Sequence, residues 1–205
     1  MRAYSVENVL NARFNTLNFE GKWLNAVGKP ELTGSWFVYG PPKNGKTTLS
    51  MMLAKYMTEF GRVFYNSIEE GLSLSVQMAF ERVNMSEVSG KIVLGETPVE
   101  ELIEKLSKKK SAKIIFFDSI QFAGLKFSEY KIIKETFPHK LFVYVSHIEG
   151  RQPQGETAKR IWRDANVVFR VEGHRAFPVS RYGGGGFIDI WEEEARRYWI
   201  KSQFD

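Results

Sequence analysis

The stretch Gly40-Pro41-Pro42-Lys43-Asn44-Gly45-Lys46-Thr47 constrains this chain more than any other. It lies between an apolar run, Trp36 to Tyr39, and an apolar helical pattern that begins near Thr48. A strand that stops at a glycine-rich turn and restarts as a helix aims a row of backbone N–H groups into one concavity, with the positive end of the helix dipole behind it. Pro41 and Pro42 have no N–H to donate, so the donors fall in the second half of the loop, from Asn44 to Thr48. Gly45 lets the backbone approach an anion closely. The spacing of Gly40, Gly45, Lys46 and Thr47 is that of a triphosphate cradle, with Lys43 and Asn44 at its turn and Thr48 opening the helix. Lys46 is expected to reach the β and γ phosphates, and the Thr47 hydroxyl to ligate Mg²⁺. The molecule implied is a nucleoside triphosphate.

At 205 residues the chain is long enough for one domain with a substantial core. No apolar run approaches bilayer length and the segment from Met1 to Ser5 lacks a signal-peptide core, so no membrane association and a cytoplasmic setting are expected. The absence of cysteine excludes disulfides, thiolate metal sites and a cysteine nucleophile, and three histidines leave little for a histidine metal centre. A net charge of +5 permits a polyanionic partner without requiring one.

Along the chain, Val6, Val9, Leu10 and Phe14 recur at helical spacing, and Phe19, Trp23 and Leu24 continue the amphipathic pattern. The expectation is a helical entry segment over residues 1–34, packed on its own domain or on a neighbouring subunit, followed by a main domain over 35–205. Leu49, Met52, Leu53, Tyr56 and Met57 mark one face of the helix after the loop, with Gly61 as its stop. Arg62 to Ser67, Ile92 to Leu94, Lys113 to Asp118 and Leu141 to His147 read as strands, and Val76, Phe80 and Val83 as a helix. A further helix starts at Pro98, acidic early and lysine-rich from Lys105 to Lys110, as the helix dipole favours. Near-continuous apolar strands alternating with helices predict an α/β fold: a mostly parallel central sheet covered by helices on both faces. From Asn166 onward the pattern changes to short strands, with Val167 to Val171, Phe177 to Arg181, Phe187 to Trp191 and Tyr198 to Lys201 expected to extend one edge antiparallel.

In open parallel sheets ligands sit beyond the carboxyl ends of the strands. Asp118 ends its strand there and is expected to face the Mg²⁺ of Thr47. Ser119 follows it, so the paired acids of the AAA+ proteins are missing although Gly40-Pro41-Pro42 looks like the loop of that family. The acid that orients the attacking water must come from elsewhere. Glu69 directly follows the second strand and lies at the same sheet edge.

Tyr65-Asn66-Ser67-Ile68-Glu69-Glu70, Asp118-Ser119-Ile120-Gln121 and Val145-Ser146-His147 together resemble the RecA-like P-loop ATPases of the RadA/Sms, KaiC and DnaB type. The resemblance runs from Ser35 to Gly183. It implies the RecA-like form of the fold, Glu69 as the catalytic acid, His147 as a γ-phosphate sensor, and an oligomer with ATP between subunits. Val179-Ser180-Arg181-Tyr182-Gly183 looks like a degenerate Lys-Asn-Arg-Phe-Gly motif, which makes Arg181 the candidate arginine finger toward a neighbour; the lysine of that motif is Val179 here. It also implies DNA contact through Gln121 to Phe127 and through Glu149 to Arg163, loops in which Arg and Lys meet phosphates and Trp162 stacks on bases. The expected function is a bare Mg-dependent ATPase motor core serving recombination, repair or replication. The alternatives are a monomeric kinase passing phosphate to a small acceptor, for which no compact lid insertion is evident, and a KaiC-like nucleotide-binding regulator that hydrolyses little.

Overall fold

In a computed structural model, which describes residues 3–201, the chain forms eight helices and ten strands in the order α1 (Val6–Leu10), α2 (Gly21–Val27), β1 (Gly34–Tyr39), α3 (Lys46–Met57), β2 (Val63–Ser67), α4 (Leu74–Arg82), β3 (Ile92–Gly95), α5 (Val99–Leu106), β4 (Ile114–Asp118), α6 (Phe127–Thr136), β5 (Leu141–Ser146), β6 (Ile148–Glu149), β7 (Gln152–Pro153), α7 (Glu156–Asp164), β8 (Val167–Glu172), β9 (Arg175–Ser180), β10 (Ile188–Asp189) and α8 (Glu192–Lys201). Residues 1–2 and 202–205 of the two expected segments lie outside the described residues.

Eight strands make one sheet in the order β10-β9-β8-β1-β5-β4-β2-β3. The six from β8 to β3 run parallel; the stretch from Val167 to Val171, expected in the antiparallel extension, instead joins β1 parallel as β8, and only β9 and β10 add antiparallel at that edge. Each central strand is apolar on both sides because both faces are covered. In β1, Trp36 and Val38 join Tyr65, Phe116 and Val143 in a core under α2, α3 and α4. Phe37 and Tyr39 point the other way, with Phe117, Phe142 and Tyr144, under α5, α6 and α7. The period-two alternation of side chains thus divides one apolar sequence between two cores.

The entry segment is only partly as expected. Leu17, Phe19, Trp23, Ala26 and Val27 are buried in the same core as α3, with the Trp23 ring stacked on Tyr56 at 5.5 Å. The helical spacing before them does not hold: α1 covers Val6 to Leu10 alone, and Val6, Val9, Leu10 and Phe14 are all more than half exposed. So short a helix cannot bury its own apolar face, and a capping box between Ser5 and Asn8 holds its start.

Four further expectations are corrected. Tyr198 to Lys201 is the end of α8, not a strand; three glutamates in its first turn and Lys201 in its last suit a helix dipole. The strand expected from Phe187 to Trp191 shrinks to Ile188–Asp189. α3 starts at Lys46 and stops at Met57, where the Thr58 hydroxyl donates to the Lys55 carbonyl, ahead of Gly61. α5 ends at Leu106, so Lys108 to Lys110 lie beyond it. The Gly183–Gly186 run has a packing role: Gly185 and Gly186 donate backbone N–H groups to the Ala26 and Asn25 carbonyls, fastening the antiparallel edge to α2.

Candidate nucleotide site

The parallel register aligns the carboxyl ends of β1, β5, β4 and β2, pairing Tyr39 with Ser146 and Asp118 with Ser67. The loop from Gly40 to Gly45, Asp118, Glu69 and His147 therefore open onto one edge. Gly40 leaves β1 so close to β8 that an added Cβ would stand 2.0 Å from the Val171 carbonyl oxygen. Gly45, at φ +100°, turns the chain directly into α3, a conformation that costs any residue with a Cβ.

Asn44 fixes the turn between them. Its side chain donates to the Pro42 carbonyl at 2.9 Å and accepts from the buried Gly173 N–H at 2.7 Å, tying the loop to the β8–β9 turn. Lys43 stands exposed with φ 61°. Lys46 is buried and its ammonium donates to the Pro41 carbonyl at 2.9 Å, within the loop it serves. Burial lowers the Lys46 pKa, and the charges of Asp118 and then Glu69 pull it back. The ammonium is thus within reach of both acids.

Asp118 is buried at the tip of β4, and burial raises its pKa to about 6 against the opposing effect of a Tyr65 hydrogen bond. The Tyr65 hydroxyl donates to Asp118 Oδ2 at 2.5 Å. Glu69 and Glu70 push the Asp118 value further up, and Lys46 pulls it down. Glu69 N–H donates to the Asp118 carbonyl, placing the two acids side by side. The Glu69 carboxylate accepts from His147 Nε2 at 3.0 Å, and the same nitrogen lies 3.4 Å from Ser119 Oγ.

Beside the loop lies a cleft of about 440 Å³. Lys43, Gly45, Lys46, Thr47 and Thr48 line one wall, Glu70, Ser75, Met78 and Arg82 a second, and His174, Ile190 and Trp191 a third. Among the described residues no three His, Cys, Asp or Glu side chains group to hold a metal by themselves. Thr47 and Asp118 suit a hard cation that completes its shell from water and phosphate oxygens.

Arg181 stands apart. It follows Ser180, which pairs with Val167 at the amino end of β8, so it is exposed at the opposite edge of the sheet from Lys46. The second expected loop is also different: Glu149 and Gln152 pair in the β6–β7 hairpin, and Glu156–Asp164 is helical. Trp162 belongs to that helix and packs on Tyr39 at 6.0 Å, half-buried, so it is not a free stacking platform. The first loop ends where α6 begins, a helix absent from the expected elements.

Sequence reading gave no site role to Tyr65, Arg82, His174 or Trp191, and had Gln121 only as the start of an expected DNA loop. Tyr65 had a signal, since it shares the face of Ser67 two residues on, and Ser67 pairs with Asp118. Gln121 donates to Ser146 Oγ at 2.8 Å and to the Gln154 carbonyl at 3.0 Å, and accepts from the His147 N–H at 3.3 Å. One amide thus joins both expected loops to Ser146 and His147 at the end of β5. His174 and Trp191 reach the cleft through the antiparallel edge, and no local pattern announces that this edge folds back beside the phosphate loop.

The decisive observation is the insertion of β5 between the loop strand β1 and the acid strand β4, with Asp118 and Glu69 both acting on the charge of Lys46. This is the RecA-like P-loop ATPase fold.

Comparison with known proteins agrees. Residues 36–131, which run from β1 into α6, match the model of the ATPase family associated with various cellular activities, AAA. Among solved structures, the RecA-like fold of this chain is similar to the flagellar accessory protein FlaH from Methanocaldococcus jannaschii (TM-score 0.57, 13% identity, 86% of this chain and 92% of that one). It is similar also to the ATPase domain of G40P (0.56, 14%, 80% and 83%) and to a KaiC-like protein from the hyperthermophilic archaeon Pyrococcus horikoshii (0.53, 16%, 74% and 79%). A sequence search of curated proteins returns no match. No helix among the described residues is long and apolar enough to cross a membrane.

Proposed function

We propose that the chain binds ATP with Mg²⁺ and hydrolyses it, working as an oligomer on DNA. The observation that carries this reading is the convergence of Lys46, Asp118 and Glu69 on one sheet edge beside the cleft. The amides from Asn44 to Thr48 and the Lys46 ammonium bind the phosphates, and Lys46 must leave the Pro41 carbonyl to do so. A magnesium ion held by Thr47 and Asp118 would neutralise charge on the transferring phosphate. Glu69 orients the attacking water and takes its proton, and His147, bonded to that acid, reports the state of the γ-phosphate.

DNA is the partner that the RecA-like resemblance implies, and Gln121 offers it a route to the site. Its bonds to Ser146, His147 and Gln154 give anything that moves the two loops a mechanical route to the His147–Glu69 pair. Arg181, exposed at the far sheet edge, would in this reading serve a neighbouring copy and not its own cleft. The setting that fits is the cytoplasm.

Phosphate release from ATP, measured with and without single-stranded DNA, tests the proposal. Turnover that rises with DNA, vanishes in Glu69→Gln and accompanies a larger species on sizing with Mg·ATP supports it. Binding with no turnover points to the nucleotide-holding regulator, and phosphate transfer to a small acceptor by a monomer points to a kinase; either result overturns the reading.

A further inference from the structure

A second groove, of about 550 Å³, lies on the other side of Arg82 from the nucleotide cleft. Its floor is apolar: Met52 and Tyr56 from α3, Val83 and Val88 from the α4 corner, and Ile190 from the antiparallel edge, all half-buried. Its rim is cationic. Lys22, Lys55, Arg82 and Lys91 face Glu59 and Glu87 across it. Lys55 is neutralised by Glu87 at 2.7 Å and also donates to the Val83 carbonyl, which leaves Lys22, Arg82 and Lys91 against Glu59.

Five half-exposed apolar side chains beneath a surplus of positive charge suit an amphipathic anion with a flat apolar part. Thr48, Arg82 and Ile190 line this groove and the nucleotide cleft alike, and the Arg82 guanidinium donates to Thr48 Oγ1 at 3.2 Å. A ligand in the groove would therefore bear on the first turn of α3. We propose that the groove is a second binding site for a nucleoside phosphate, its base on Met52 and Tyr56 and its phosphates among Lys22, Arg82 and Lys91. This stands apart from the proposed hydrolysis at Lys46.

The test is calorimetric titration of ADP with magnesium into three proteins: wild type, Lys46→Ala, and Lys22→Glu/Lys91→Glu. Lys22 and Lys91 are exposed and away from the loop contacts. Two sites in wild type, one surviving in Lys46→Ala, and selective weakening of that second site by about tenfold or more in the double variant support the proposal. A single site in wild type that disappears in Lys46→Ala overturns it. So does a groove that ignores ADP but takes a glutamate-rich peptide, because the ligand class would then be wrong. A single site in wild type that is kept in Lys46→Ala and lost in the double variant supports the groove and overturns nucleotide binding at the phosphate loop, so the two failures are distinguishable.

Discussion

Glu69 and His147, brought together from two strand ends 78 residues apart in sequence, share a hydrogen bond of 3.0 Å between carboxylate and imidazole Nε2. The acid proposed to orient water is thus held by the residue proposed to sense the γ-phosphate.

Glu69→Gln keeps the side-chain shape and removes the base. Hydrolysis should fall by about 10²–10⁴ while ATP affinity stays within a few-fold, as positioned general bases generally behave. His147→Ala should lower kcat in the same direction but less, since Glu69 remains. Steady-state kinetics beside equilibrium binding of ATP separates the two effects.

Asp118 makes a prediction about stability. Its carboxyl keeps its proton to about pH 6 when folded, against 3.8 for an ordinary aspartate. Between those values the folded state holds more protons than the unfolded chain, so stability falls as pH rises through that window, by up to about 3 kcal/mol. Asp118→Asn removes this loss and still accepts from Tyr65. Thermal melts of the nucleotide-free protein should show the variant gaining on wild type between pH 4 and 7, whereas its binding of Mg·ATP should be weaker.

The Asn44–Gly173 bond ties the phosphate loop to the antiparallel edge. Asn44→Ala strands the buried Gly173 N–H and frees the turn, for a cost of about 1–3 kcal/mol in stability. Nucleotide affinity should fall with it. Denaturant unfolding together with ATP titration checks both.

Tyr130 offers a control at the opposite end of the sheet. Its hydroxyl lies 3.1 Å from Ser35 Oγ and bonds to Asp164, which Lys134 also contacts at 2.5 Å. Tyr130→Phe should destabilise by about 1–2 kcal/mol and leave the kinetics of ATP hydrolysis unchanged.

The phosphate loop, the five parallel strands before Asn166 and the sheet-edge positions of Asp118 and Glu69 were legible because each rests on a short-range pattern: a fixed spacing, an apolar run, a polar residue at its end. What escaped depends on distance or on side chains. Val6, Val9, Leu10 and Phe14 have helical spacing, but spacing does not supply the surface that would bury them. Tyr198 to Ile200 is a short apolar run like that of a strand, yet the charge order of Glu192–Glu194 and Lys201 suits a helix. Trp162 looked available because its segment is polar, and the packing of α7 on β1 turned it toward Tyr39. The joining of the two loops by Gln121 follows from three hydrogen bonds that no linear pattern encodes.

The central claim is that Lys46 and the amides behind it grip a nucleotide. Calorimetric titration of ATP with magnesium into wild type and Lys46→Ala tests it most directly. The account predicts a site in wild type that the substitution weakens by two orders of magnitude or so, in a variant that still folds. An identical titration in both proteins would contradict it.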